Sequence, residues 1–175
     1  MGKRVLFLLV LGVFGIVATF VFLSRPPDPL DEAHEIFLAS GFTGGLVVHL
    51  DCGDGLLTTA LRLNENVTVH GLARREEDLM EARKTVLASG LYGPVSIDLL
   101  SGDQLPYVDS LVNLLVSKNL GSVPISEVER ILCPGGIAYI QKDGIGANAQ
   151  KFVPLNWTSG RTTFMGRVET PFRVT

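Results

Sequence analysis

The run Leu46–Thr59, LVVHLDCGDGLLTT, constrains the fold more than any other stretch of this 175-residue chain. An apolar segment, Leu46 to Leu50, ends at Asp51-Cys52-Gly53-Asp54-Gly55 and resumes as Leu56-Leu57-Thr58-Thr59-Ala60-Leu61. That order predicts a buried strand, a tight glycine turn and a helix. Gly53 and Gly55 admit backbone conformations and close approaches that a Cβ forbids. A helix leaving such a turn aims its unpaired N–H groups back at it. Strand, turn and helix start together form a site of the nucleotide-cofactor type, although the same residues also suit an ordinary strand-to-helix turn.

The length suffices for one domain of ordinary size. Hydrophobic residues make up 46% and charged residues 19%, which fits a globular core plus one very apolar segment. A net charge of -3 argues against a nucleic-acid surface. The two cysteines, Cys52 and Cys133, lie far apart, and there is no CxxC and no Cys/His cluster. A disulfide scaffold is therefore excluded, and neither zinc nor another metal is expected. Cys52 is read as a small packing residue in the turn.

Residues 1–24 form the apolar segment. Lys3 and Arg4 precede an uncharged run of 19 residues from Val5 to Leu23. As a helix it would span about 28 Å, close to the hydrocarbon thickness of a bilayer. It lacks the polar stripe of a core helix. The expectation is a signal anchor, with a cleaved signal peptide as the alternative, since no clean A-x-A site precedes Ser24. Lys3 and Arg4 should stay cytoplasmic and the remainder lie outside, single-pass if anchored and secreted or periplasmic if cleaved. Residues 25–29 are a stiff, proline-rich linker.

From residue 30 strands and helices alternate. Asp28-Pro29 reads as N-cap and first turn of a helix over Leu30–Ser40, stopped by Gly41, with Leu30, Ala33, Ile36 and Phe37 on its apolar face. Thr58–Leu63 is helical, Val67–Leu72 a second strand, and Glu76–Ser89 a helix burying Leu79, Ala82, Val86 and Leu87 before Gly90. Val95–Leu100 is a third strand, and Leu111–Ser117 a fourth whose apolar run suits a central parallel position. A helix over Ile125–Leu132 breaks at Pro134-Gly135-Gly136, and a fifth strand covers Ile137–Gln141. This alternation predicts an α/β, Rossmann-like, mostly parallel sheet with helices on both faces, over residues 30–141. Residues 142–175 are a glycine-punctuated tail that must complete or cover the C-terminal sheet edge. Thr162–Met165 and Arg167–Thr170 are candidate strands there, and Trp157, Phe164 and Phe172 candidate cover. His34 reads as a surface histidine, and His70 as a buried one with its hydrogen bonds satisfied.

Over residues 30–141 the chain resembles the class I S-adenosylmethionine (SAM)-dependent methyltransferases. VVHLDCGDGLLT, Val47–Thr58, is similar to that family's glycine motif with its GCGxG core. EVERILCPGGIAYI, Glu127–Ile140, is similar to its RxLxPGG hairpin, and Leu105-Pro106-Tyr107 to its LPF/LPY step. The arrangement also resembles the methyltransferase-like region of large exported bacterial proteins that continue into a quinoprotein-type β-propeller. The resemblance implies a seven-stranded sheet whose last two strands form an antiparallel edge. It also implies SAM as cofactor, held by Leu50, Asp51, Cys52, Gly53 and Gly55 in the turn. Ala73 stands at the position of the ribose acid, and Ser101, Gly102 and Asp103 in the adenine loop.

Three positions depart from the family pattern. Asp51 replaces the first glycine, Ala73 the ribose acid and Ser101 the adenine acid. Ala73 accepts no hydrogen bond, and each charge-assisted bond of the lost kind is worth about 1.5–3 kcal/mol. Glu76 or Glu77 offers a substitute acid at the following helix start. No proton-transfer residue stands out, which suits a transfer that works by positioning an acceptor for in-line attack. Lys118 and Asn119 lie where acceptor-binding residues often do, and also read as plain loop residues. Three functions remain open. The first is an anchored or exported SAM-dependent methyltransferase-like protein acting on an unknown small-molecule or protein acceptor. The second is a degenerate, non-catalytic methyltransferase fold serving as a binding or structural module. The third is an NADP-binding Rossmann enzyme, in which Arg74-Arg75 would meet a 2′-phosphate.

Overall fold

The structure, a computed structural model, describes residues 28–141 and the backbone of 156–159 and 163–167. The expected membrane segment of residues 1–24 lies outside the described residues, as does Phe172. Among the described residues no helix is long and apolar enough to cross a membrane.

Asp28 begins the domain as predicted: its Oδ1 accepts the Leu30 N–H at 2.9 Å and caps helix α1, Pro29–Ser40. Gly41, at φ 66, ends it. Strand β1 is Gly45–Leu50, helix α2 Leu56–Ala60, strand β2 Val67–Ala73 and helix α3 Glu76–Ala88. Strand β3 is Val95–Leu99, strand β4 Val112–Ser117, helix α4 Ile125–Ile131 and strand β5 Leu132–Gln141. The tail supplies strand β6, Asn156–Ser159, and strand β7, Thr163–Arg167.

The sheet order is β3-β2-β1-β4-β5-β7-β6. Strands β1 to β5 pair in parallel, β7 is antiparallel to β5, and β6 is antiparallel to β7. The tail thus extends the sheet by two strands, though one element lies earlier than the sequence reading placed it: β6 ends at Ser159, before Thr162. Trp157 falls on β6 and Phe164 on β7.

Alternation along the strands divides the core into two layers. Val47, Val69, Val95 and Leu114 face α1, α2 and α3, where Ala33, Ile36, Leu57, Ala82 and Val86 meet them. Val48, Leu50, Leu72 and Leu115 face the other way, against Val128 and Ile131 of α4 and the loop residues Leu105 and Leu120. Two apolar residues read as core are not: Leu30 is 49% and Leu87 69% exposed. Both lie at the margin of their helix stripes, where a helix resting on a twisted sheet leaves its flank in water.

The Pro-Gly-Gly hairpin is a bulge rather than a gap before β5. Val112 pairs Leu132 and Leu114 pairs Ile137, so Cys133–Gly136 loops out of register. A Cβ on Gly136 would lie 2.8 Å from the Cys133 carbonyl and 2.9 Å from that of Val112, so this corner accepts only glycine.

The Leu105-Pro106-Tyr107 step and the Glu127/Arg130 pair prove to be one device. Arg130 donates to the carbonyls of Leu105 at 3.0 Å and Tyr107 at 2.7 Å, and to Asp109 at 2.8 Å. Glu127 accepts from Arg130 and from the Leu105 N–H, and both bonds hold its carboxyl below the usual range. On the far side Tyr107 donates its hydroxyl to His70 Nδ1 at 2.8 Å, leaving Nε2–H to donate to Asp98 at 3.1 Å. His70 is therefore satisfied, as the sequence suggested, and half-buried. The segment between β3 and β4 is held without a helix. Arg130→Ala should speed amide hydrogen exchange at Leu105 and Tyr107 several-fold while β1 and β4 stay protected. Unchanged exchange there would show that the clamp does not hold the segment.

Candidate functional site

In an open parallel sheet, ligands bind beyond the C-terminal strand ends, at the point where successive connections go to opposite faces. Here that point lies between β1 and β4: α2 and α3 pack on one face, and α4 on the other.

The turn after β1 is fastened to β2. The N–H groups of Asp51 and Cys52 both donate to the Leu72 carbonyl, at 2.9 and 3.1 Å. This geometry puts Asp51 at φ 62. Aspartate is one of the few side chains that tolerate the left-handed region, which accounts for an acid where glycine was expected. Gly53 and Gly55 have different tasks. A Cβ on Gly55, at φ 80, would lie 2.8 Å from Ala82 Cα, so this glycine lets α2 lie against α3. A Cβ on Gly53, at φ 53, meets nothing within 4 Å, so this glycine answers a need of backbone conformation and leaves open space at the turn. Asp54 Oδ1 accepts the Leu56 N–H at 3.0 Å and starts α2.

Two titratable groups beneath the turn are inert. His49 is buried and shares a 2.7 Å hydrogen bond with Thr58 Oγ1. Burial first, and the charge of Lys118 second, lower its pKa to about 3, so the ring is neutral and pins α2 to β1. Burial pushes the Cys52 thiol up to about 12 against the pull of its backbone hydrogen bond, so it is a packing group and no nucleophile. Cys52 and Cys133 are both free thiols.

At the end of β2, Ala73 is fully buried within the layer under α1 to α3. A core methyl thus occupies the position where the resemblance implies a ribose carboxylate. Glu76 and Glu77 are exposed at the start of α3. Arg75 makes a two-pronged contact with Asp78, at 2.8 and 2.5 Å, which holds the Asp78 carboxyl below its usual range. Arg74 reaches the other way. Its Nη2 donates to the Leu120 carbonyl beyond β4 at 2.5 Å, and a Cβ on Gly121 would lie 2.8 Å from its Cζ.

Leu100 N–H donates to the Ala73 carbonyl at 2.8 Å, so the expected adenine loop starts beside the end of β2. Ser101, Gly102 and Asp103 are all exposed there, with Gly102 at φ 87. Beyond β4, Ser117 donates to the Leu50 carbonyl at 3.3 Å and accepts the Asn119 N–H at 3.2 Å. Asn119 Oδ1 accepts the Gly121 N–H at 2.8 Å, and Lys118 lies 3.4 Å from Glu32 of α1. The structure therefore joins Leu50, Asp51 and Cys52 to the end of β2 and brackets them with the 117–121 loop. Ser101–Asp103 stand one strand further out. Leu120 and Gly121 were missed by the sequence reading, because their part rests on a contact with Arg74, 46 positions earlier in the chain.

No family model and no curated sequence matches the chain. Solved structures do. A protein of Methanococcus maripaludis assigned to the SAM-dependent methyltransferases aligns at TM-score 0.67 and 19% identity, over 85% of this chain and 87% of its own. A SAM-dependent methyltransferase from Aquifex aeolicus aligns at TM-score 0.62 and 16% identity, over 86% and 96%. A geranyl diphosphate methyltransferase in complex with GPP and sinefungin aligns at TM-score 0.56 and 17% identity, over 63% of this chain and 44% of its own. At these identities the likeness is one of fold. The chain has the fold of the class I SAM-dependent methyltransferases.

Gly55→Ala should destabilise the domain by about 2–4 kcal/mol, from left-handed strain plus overpacking against Ala82. Gly53→Ala should cost about 1–2 kcal/mol, from strain alone. Equal losses in denaturant unfolding would refute the division of labour between the two glycines. His49 supplies a pH test. Its folded pKa of about 3 lies below the ordinary 6.5, so between these values the unfolded chain holds a proton that the folded chain does not. Stability should fall as pH drops through this window, by up to about 1.4 kcal/mol per pH unit. Unfolding measured from pH 7 to 4 should show a shallower slope for His49→Asn, and an unchanged slope would contradict the assignment.

Proposed function

We propose that this domain is a SAM-dependent methyltransferase-like protein that holds an S-adenosyl ligand weakly in the crevice above β1. We further propose that residues 1–24 anchor it in a membrane or direct its export. The observation that carries the reading is the open space at Gly53, in the turn at the switch point of a methyltransferase fold. The backbone of Asp51–Gly53 would take the amino-acid end of the ligand, and Ser101–Asp103 the adenine edge. The ribose hydroxyls would lack a carboxylate, since Ala73 has none and Glu76 and Glu77 stand out in solvent. Such a ligand supplies an electrophilic methyl group. The chain's part is to orient it and to seat an acceptor near Lys118 and Asn119, with no proton relay among the residues at the strand ends.

A second reading, a non-catalytic binding or structural module, is favoured by the full burial of Ala73. The NADP reading loses its motive, because Arg74 and Arg75 are engaged with Leu120 and Asp78.

The test is calorimetry on the detergent-solubilised full chain with SAM and S-adenosylhomocysteine. Two missing charge-assisted bonds should weaken binding by roughly a hundredfold or more relative to a complete site. We expect sub-millimolar affinity that Gly53→Val abolishes. A folded chain that takes up neither ligand at millimolar concentration would remove the enzyme reading and leave the module.

A further inference from the structure

Arg74 leaves the end of β2, and its guanidinium rests on the Leu120 carbonyl and against Gly121, beyond the end of β4. β1 lies between these two strands. The side chain therefore reaches from the end of β2, past the end of β1, to the loop after β4. It ties a strand whose following helix packs on one face to a strand whose following helix packs on the other. It does so with a charge-assisted bond to a carbonyl that already accepts the Val123 N–H at 3.0 Å. Gly121 lets the guanidinium lie this close. The neighbouring Arg75 is spent on Asp78, so the tie falls to Arg74 alone of the pair.

We infer that Arg74 is a strap that closes the switch-point crevice and sets its affinity for an adenosyl ligand. This inference rests on the S-adenosyl reading for the identity of the ligand, and on the contact itself for the strap. Swinging the guanidinium away opens the space between the glycine turn and the 117–121 loop. A ligand must displace that contact before it can lie across β1. The chain thereby opposes the binding that its glycine turn permits, at the place where the ribose carboxylate is also missing.

The strap is tested by hydrogen exchange and calorimetry on the solubilised full chain, as Arg74→Ala and as Arg74→Met, which keeps the stem and removes the donors. Exchange at the Gly121 and Val123 amides should rise about fivefold in both variants. S-adenosylhomocysteine should bind about tenfold more tightly to Arg74→Ala than to the unmodified chain. Unchanged exchange in both variants would overturn the strap. Faster exchange with weaker ligand binding would also overturn it, since Arg74 would then be holding the ligand, and the S-adenosyl reading would survive. Faster exchange with no binding by any of the three proteins would uphold the strap and end the S-adenosyl reading.

Discussion

The Leu72 carbonyl, accepting two successive N–H groups from the turn after β1, is the contact on which the site depends. It bends the chain sharply at the end of a strand whose last four residues are buried and moors the turn to the neighbouring one. Asp51 is driven into the left-handed region, Gly53 is left with open space beside it, and Gly55 brings α2 down onto α3. His49 and Thr58 then lock the short helix from below. Without that mooring, a helix of five residues would have little to hold it, since isolated helices of this length are not stable in water.

Around this centre the domain has the scaffold of the fold, while its candidate ligand contacts depart from the pattern that the resemblance implies. The parallel core, the antiparallel β7 and the bulged Pro-Gly-Gly corner form a complete sheet. The Glu127/Arg130 clamp holds the Leu105–Asp109 segment through backbone atoms, which explains why motif residues that resemble functional ones carry structural duties. At the strand ends, by contrast, the position where the resemblance implies a carboxylate is the buried methyl of Ala73, and the Arg74 guanidinium rests on the Leu120 carbonyl.

The sequence made the framework legible because its signals are local. The apolar runs at Val47–Leu50 and Val112–Val116, Gly41 and Gly90 after their helices, and Asp28-Pro29 each act within a few residues. Where the signal was geometric, the reading slipped. Leu30 and Leu87 satisfy the helical period, yet exposure follows from where the helix rests on a twisted sheet. The site was half legible. The glycine turn could be read directly and the place of an acid at Ala73 came only from the family resemblance, whereas Arg74's target is a backbone carbonyl, and a carbonyl carries no sequence signature. The same holds for Arg130, whose partners were visible as a motif but not as its hydrogen-bond acceptors.

The most direct measurement is a titration of the isotope-labelled full chain with S-adenosylhomocysteine, followed through backbone amide resonances. The account predicts that shifts concentrate at Asp51–Gly55, Ala73–Arg74 and Leu120–Gly121, the three segments that meet over β1. Shifts confined to the outer edge of β3, or none at all in a folded protein, would contradict the claim that this crevice is the ligand site.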